Sequence, residues 1–284
     1  MTPNNNYSVL PFYTDILKQS HRKSYAYGEV YPLITPNKRI LPFQIIRDTR
    51  TGTITSALLK NIDGSTFLDI TYEMLTFGLA KVIKTGYDII TYHGRVDLGS
   101  IVTPEGQYYL QLADGLNTWY SDVFTIVANV TRLLKLEYRD TNNVIFAGGE
   151  IDYTIPFRFI CYLDAQVGRP EYKFEEEVED KDGYSFVEKQ VSEKVFKFQF
   201  FAPEYLCDAL RLVRLHDYIR VTTQDDEYEV EKFLMTPEWT DDGYLASVEV
   251  EFECDTVVKK IARGSYYTDA GSFSNDYDVS FETS

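Results

Sequence analysis

Cysteine is scarce in this chain: Cys161, Cys207 and Cys254 are the only three in 284 residues. An odd, sparse count excludes a disulfide framework and suits a reducing compartment, where a free thiol packs as a small hydrophobe. Cys161 and Cys254 fall in strand-like patterns and Cys207 in a helical one, so core packing is expected of all three rather than a metal site. Long apolar runs are missing too. No stretch approaches the ~20 consecutive apolar residues of a membrane helix. The opening MTPNNNYSVLPFY has neither the basic start nor the apolar middle of a signal peptide. Basic charge is in short supply: 28 Lys+Arg against 44 Asp+Glu leave a net charge of −16. That excludes a general or sequence-specific nucleic-acid binder, which carries a basic footprint.

Catalytic signatures are absent as well. No Gly-x-Ser-x-Gly marks a nucleophile elbow, and no His-Glu-x-x-His marks a zinc helix. Gly148-Gly149 lacks the Lys and Ser/Thr of a phosphate loop. The three histidines, His21, His93 and His216, have no partner at metal-ligand spacing. His216 is expected to cap the end of a helix, and His93 to sit in a turn before Gly94. Asp180-Lys181-Asp182-Gly183 departs from a calcium loop, with Gly too early and a Lys between the acids. The pairs Asp225-Asp226 and Asp241-Asp242 offer two carboxylates for glycoside hydrolysis, but adjacent acids in turn-like sequence read as surface charge. The expectation is a protein that is not an enzyme and carries no cofactor or metal.

What the chain does have is aromatic and apolar mass. Aromatic residues make up 15% and hydrophobic residues 44%, with 23 Tyr and 18 Phe but only two Trp. That is ample for a packed core, and the length suggests about two domains. Val248, Val250, Phe252 and Cys254 alternate with Glu249, Glu251 and Glu253, the period-two mark of a half-buried strand. Phe196, Phe198 and Phe200 alternate likewise, as do Leu134, Leu136 and Tyr138, and Tyr108, Leu110 and Leu112. Further β-rich runs are 157–163, 218–223 and 228–235. Turn pairs such as Thr85-Gly86, Asp114-Gly115, Asn142-Asn143 and Asp182-Gly183 punctuate these strands. The fold class expected is mainly β, with β-sandwich or barrel-like domains and one packed α-helix. That helix is placed at 203–216, with Pro203 at its first position and Leu206, Leu210 and Val213 forming its apolar stripe. Ser65–Thr76 reads equally as helix or strand.

Charge is unevenly partitioned. Residues 1–60 carry eight basic residues against Asp15, Glu29 and Asp48, a net of +5, which leaves −21 for the other 224 residues. The organisation expected is a basic N-terminal arm with the first strands over 1–60, and a small β-domain continuing over 61–130. A second β-domain over 131–262 carries the helix and an acidic insertion at 170–190, and a polar tail covers 263–284. The insertion holds eight acids against three Lys and is expected as a solvated hairpin or projecting loop. Arg22, Lys23, Lys38 and Arg39 are expected to dock on an acidic surface of a neighbouring copy. Trp119 and Tyr120 suit a core, an interface or a sugar-stacking platform. Tyr266 and Tyr267 lie in a tail suited to wrapping a neighbour.

Three stretches are similar to those of a known group. Glu105–Val127 (EGQYYLQLADGLNTWYSDVFTIV), Phe196–Val221 (FKFQFFAPEYLCDALRLVRLHDYIRV) and Glu238–Gly264 (EWTDDGYLASVEVEFECDTVVKKIARG), with the strand at Phe157–Leu163, resemble tail-associated virion proteins of tailed phages and prophages of gut Bacteroidota, crAss-like phages included. The resemblance covers roughly residues 100–264 and includes no catalytic motif. It implies a non-enzymatic structural subunit of the neck, tail or baseplate, located in the virion and assembled in the host cytoplasm. Its implied partners are other copies of itself in a cyclic ring, joined head-to-tail, and adjoining tail or neck proteins. A carbohydrate- or receptor-binding module of the tail, using Trp119, Tyr120 or the tyrosines of the C-terminal tail, is the alternative.

Overall fold

The computed structural model describes residues 8–19, 33–36, 39–47, 52–94, 105–143, 145–146, 151–153, 156–181, 183–239 and 243–260. The first half holds β1 (Phe12–Tyr13), β2 (Leu33–Pro36), β3 (Phe43–Arg47), β4 (Ser56–Asn61), β5 (Thr66–Asp69), β6 (Leu79–Ile83), β7 (Asp88–Tyr92), β8 (Gly106–Ala113), β9 (Thr118–Ser121) and β10 (Phe124–Val127). The second half holds β11 (Leu134–Arg139), β12 (Ile145–Phe146), β13 (Ile151–Asp152), β14 (Phe159–Leu163), β15 (Glu171–Lys181), β16 (Tyr184–Pro203), β17 (Tyr218–Thr222), β18 (Glu227–Glu229), β19 (Lys232–Trp239) and β20 (Leu245–Lys260). The chain is mainly β, as its alternation and its turn residues require. Gly115 (φ 86°) and Gly183 (φ 82°) occupy the left-handed positions that the Asp-Gly turns demand.

An eleven-stranded sheet runs in the order β1-β9-β8-β10-β2-β14-β11-β17-β18, with β4 on the other side of β8 and β5 beyond it. All its pairings are antiparallel except β10 with β2. β9 and β10 share one side of β8 end to end. The break between them falls at Leu110, whose amide donates to Ser121 Oγ at 2.8 Å instead of to a strand carbonyl. A four-stranded antiparallel sheet, β15-β16-β20-β19, packs its Phe196, Phe198, Phe200, Val248, Val250 and Phe252 face into the same hydrophobic cluster. A three-stranded sheet, β3-β7-β6, and the β12-β13 pair complete the sheets of the described residues.

The boundary expected near 128–132 falls in the turn between β10 and β11, but the large sheet does not stop there. β2 lies between β10 and β14, the latter joined through Ile34 and Tyr162. The described part of residues 1–60 is therefore more than an arm: Val9, Leu10, Leu33, Phe43 and Ile45 are core residues. Arg47, counted in the basic front, is buried in an internal ion pair and leaves that front weaker than its formula charge.

The helix expected at 203–216 is shorter. α1 (Thr71–Glu73) runs on into a π-helical turn at Met74–Gly78, directly after β5, so Ser65–Thr76 is strand and then helix. α2 (Glu204–Leu210) is followed by a 3₁₀ turn at Val213–Leu215. Pro203 precedes the helix with extended ψ of 164° because it is still paired with Leu245 in β16–β20. The i−3 bond from the Leu212 amide to Ala209 tightens the end of α2. His216 closes the segment, its Nδ1 donating to the Leu212 carbonyl at 2.7 Å, as expected of a cap. All three cysteines are buried and free. No helix among the described residues is long and apolar enough to cross a membrane.

Candidate functional site

A groove of about 450 Å³ on the outer face of β11 and β14 concentrates positive charge. Strand alternation builds it. Leu134, Leu136 and Tyr138 of β11 turn into the core, so Lys135, Glu137 and Arg139 must share the opposite face. Register sets Tyr162 and Ile160 of β14 beside Lys135 and Glu137. The segment after β2 brings Arg39, Ile40, Leu41 and Pro42 across from them, and Pro156, Phe157 and Arg158 close the end. Apolar and proline side chains thus line the groove together with a rim of Arg39, Lys135, Arg139 and Arg158.

Glu137 is the one acid at this rim. It is nearly buried and bridges two cations, with Lys135 Nζ at 2.7 Å and Arg158 Nη1 at 2.6 Å. Burial alone would raise its carboxyl, but the hydrogen bonds and charges of Lys135 and Arg158 outweigh it and hold the group below the ordinary carboxylate range. Arg139 lies over the Tyr218 ring, 4.6 Å from its centroid. Arg39 is exposed and has no carboxylate partner among the described residues. On a chain of net charge −16, this is a local cationic surface.

The second feature is the acidic insertion. It is a hairpin, β15 with the outer half of β16, extended by the end of β20. Glu171 through Val178 are all exposed. On its outer face, Lys173, Lys197 and Lys232 interlock with Glu193, Glu251 and Glu253. Its other face continues the apolar face of the four-stranded sheet past the end of the core. Phe174 pairs with Ser192, and Ser192 with Val257, so Phe174 and Val257 point the same way, with Tyr172 two residues along. Tyr172 is 73% exposed, Phe174 64% and Val257 66%. Nothing in the described chain covers them.

Of the expected interface residues, Arg39 lines the groove. Arg22, Lys23, Lys38, Tyr266 and Tyr267 lie outside the described residues. Trp119 is a core residue, 5% exposed, with the Arg47 guanidinium 5.4 Å from its ring. It is not a surface platform, because β9 pairs it with Leu112 on the core side of β8. Tyr120 is half-buried beside Tyr109. Asp225 and Asp226 are exposed in the β17–β18 turn, tied to Thr223, and Asp241 and Asp242 lie outside the described residues. Among the described residues, no group of three His, Cys, Asp or Glu side chains is placed to hold a metal. Lys135, Arg139 and Arg158 were missed as site residues. The Lys-x-Glu-x-Arg alternation of β11 was a legible signal for the first two, whereas Arg158 and Arg39 arrive only through long-range pairing. Tyr172 and Phe174 were hidden inside a run read for its acids.

Compared with known proteins, the chain matches no family model and no curated sequence.

Proposed function

We propose that this protein is a non-enzymatic structural subunit of a tailed-phage virion that assembles with copies of itself, and with adjoining tail or neck proteins, into a ring. The observation that carries this reading is the uncovered apolar face of Tyr172, Phe174 and Val257, which prolongs a core-forming sheet face into solvent. An exposed apolar sheet face on a projecting hairpin supports a reading in which another protein covers it. The resemblance of residues 100–264 to tail-associated virion proteins supplies the setting. Of the residues a carbohydrate- or receptor-binding module would use, Trp119 has its ring in the core, Tyr120 is half-buried, and the tail tyrosines lie outside the described residues.

The test is to purify particles that encode this chain and examine them by mass spectrometry and electron microscopy. The expected result is the protein present in many copies per particle, arranged with cyclic symmetry. Its absence from particles would overturn the reading.

A further inference from the structure

We infer that the basic groove of one copy receives the acidic hairpin of the next, making the head-to-tail contact on which a ring would close. The inference rests on the self-assembly proposed above and names the two surfaces that perform it.

The two surfaces match in chemistry as well as sign. The groove offers Arg39 and Arg139, without carboxylate partners among the described residues, and two further cations, Lys135 and Arg158, that share a single Glu137. Four positive charges against one negative make a local cationic excess that an acidic surface complements. The hairpin offers Glu175, Glu176 and Glu177 in succession, all exposed, with none in an ion pair among the described residues. Only Glu176 has a hydrogen-bond partner there, Gln190, at 2.7 Å. Apolar side chains such as Ile160 share the groove lining with the cations, and the edge strand β15 carries Phe174 and Tyr172 on the face that also bears Glu176, with Glu175 and Glu177 on its other face. An aromatic-plus-carboxylate strand therefore meets an apolar-plus-guanidinium groove, the pairing that gives both burial and electrostatic register. A small inorganic anion would satisfy the cations but leave the hairpin face uncovered; a second copy resolves both.

The contact is heterologous, because groove and hairpin are different patches of one chain. Repeating it propagates in one direction and closes into a ring when the rotation permits. Exposed charge pairs give it salt sensitivity, since screening at 1 M ionic strength shortens the electrostatic range to about 3 Å.

The test uses the full chain in three forms: a groove variant (Arg39→Glu with Arg139→Glu), a hairpin variant (Glu175→Lys, Glu176→Lys and Glu177→Lys), and the two sets combined. All five positions are exposed or rim positions, and thermal unfolding of each variant checks that the fold is kept. Assembly is read by mass photometry and analytical ultracentrifugation at low and high salt. The wild type should form multimers that dissociate at high salt. Each charge-reversed variant should lose them, and the combined variant should recover them. Mixing groove and hairpin variants should likewise restore multimers, in which the two alternate, because every contact then pairs either an intact groove with an intact hairpin or a reversed groove with a reversed hairpin.

Multimers that persist in both charge-reversed variants would overturn this inference while leaving self-assembly standing. Multimers lost only on deleting residues 261–284 would do the same and assign the groove to the tail. A wild-type chain that stays monomeric at high concentration and low salt would count against self-assembly itself.

Discussion

Arg47 and Asp88 are register partners on β3 and β7, and their side chains meet, Nη2 to Oδ2, at 2.9 Å with neither reaching solvent. The same guanidinium turns its Nη1 to Asp114 Oδ2, also at 2.9 Å, in the β8–β9 turn. One side chain thus ties the three-stranded sheet to the eleven-stranded one, with the Trp119 ring beneath it and Lys81 Nζ 3.2 Å from Asp88. Each Nη of Arg47 thus meets its own carboxylate, while Arg47 Nε and Asp88 Oδ1 are buried without a hydrogen-bond partner among the described residues, so the two ion pairs carry the compensation for burying these charges.

Arg47→Ala should therefore strip the compensation from two buried carboxylates, with Lys81 left to serve only Asp88. The expected loss is about 3–5 kcal/mol of unfolding free energy, the range for breaking a buried pair from one side. Urea denaturation followed by tryptophan fluorescence measures it, since Trp119 reports on this region. A loss under about 1 kcal/mol, the range of a surface pair, would show that the cluster is hydrated.

Tyr153 and His216 set a pH dependence. A carbonyl only accepts, so the bond to Leu212 places the ring proton of His216 on Nδ1, and Nε2 accepts from the Tyr153 hydroxyl at 2.6 Å. Burial lowers the His216 pKa, opposed by the Leu212 and Val213 backbone and by the charges of Asp140 and Asp217. The Tyr138 ring packs edge-on against the imidazole. Below about pH 6.5 the unfolded chain binds a proton that the folded chain resists, so stability falls with falling pH through that window. His216→Gln should flatten the unfolding free energy between pH 7 and 5; an unchanged slope would assign it to other groups. Tyr153→Phe, which leaves Nε2 unmet, should cost about 1–3 kcal/mol at neutral pH.

The cysteines should be inert in the folded protein. Burial pushes the Cys161 thiol up to about 12, and burial with the nearby Asp208 charge takes Cys207 to about 11. Thiolate is the reactive form, so iodoacetamide at pH 8 should leave both unlabelled in native protein and label both in urea, read by mass spectrometry. Native labelling of Cys161 would require an opening of the β11–β14 region.

Phe174→Ser and Tyr172→Ser should leave the unfolding free energy within about 0.5 kcal/mol of wild type, because neither side chain is packed within its own chain. A buried counterpart on the same sheet behaves oppositely. Phe252, stacked with Phe196 at 5.4 Å and fully buried, should cost about 3–5 kcal/mol on replacement by Ala. Calorimetry on the monomer separates the two cases. Strong destabilisation by the position-174 change would mean that the hairpin face folds back on its own chain.

Local pattern alone determined the strands that alternate, because period two is a property of consecutive residues: Val248, Val250, Phe252 and Cys254 are buried in a row, as read. The same holds for the turn at Asp114-Gly115, the acidic hairpin that reverses at Gly183, the buried free cysteines and the cap at His216. Alternation does not say what lies on the far side of a strand, so Glu137 and Glu253, on the polar side of their alternation, are buried against cations brought from other segments, Arg158 and Lys232. Pairing across long sequence separations was decided only by the tertiary structure. It inserted β2 beside β14, drew the basic front into the core through Arg47, buried Trp119, and gathered Arg39, Lys135, Arg139 and Arg158 around one groove. Those outcomes depend on which strand edges meet, and edge choice is a competition among all strands at once that no single stretch of sequence encodes.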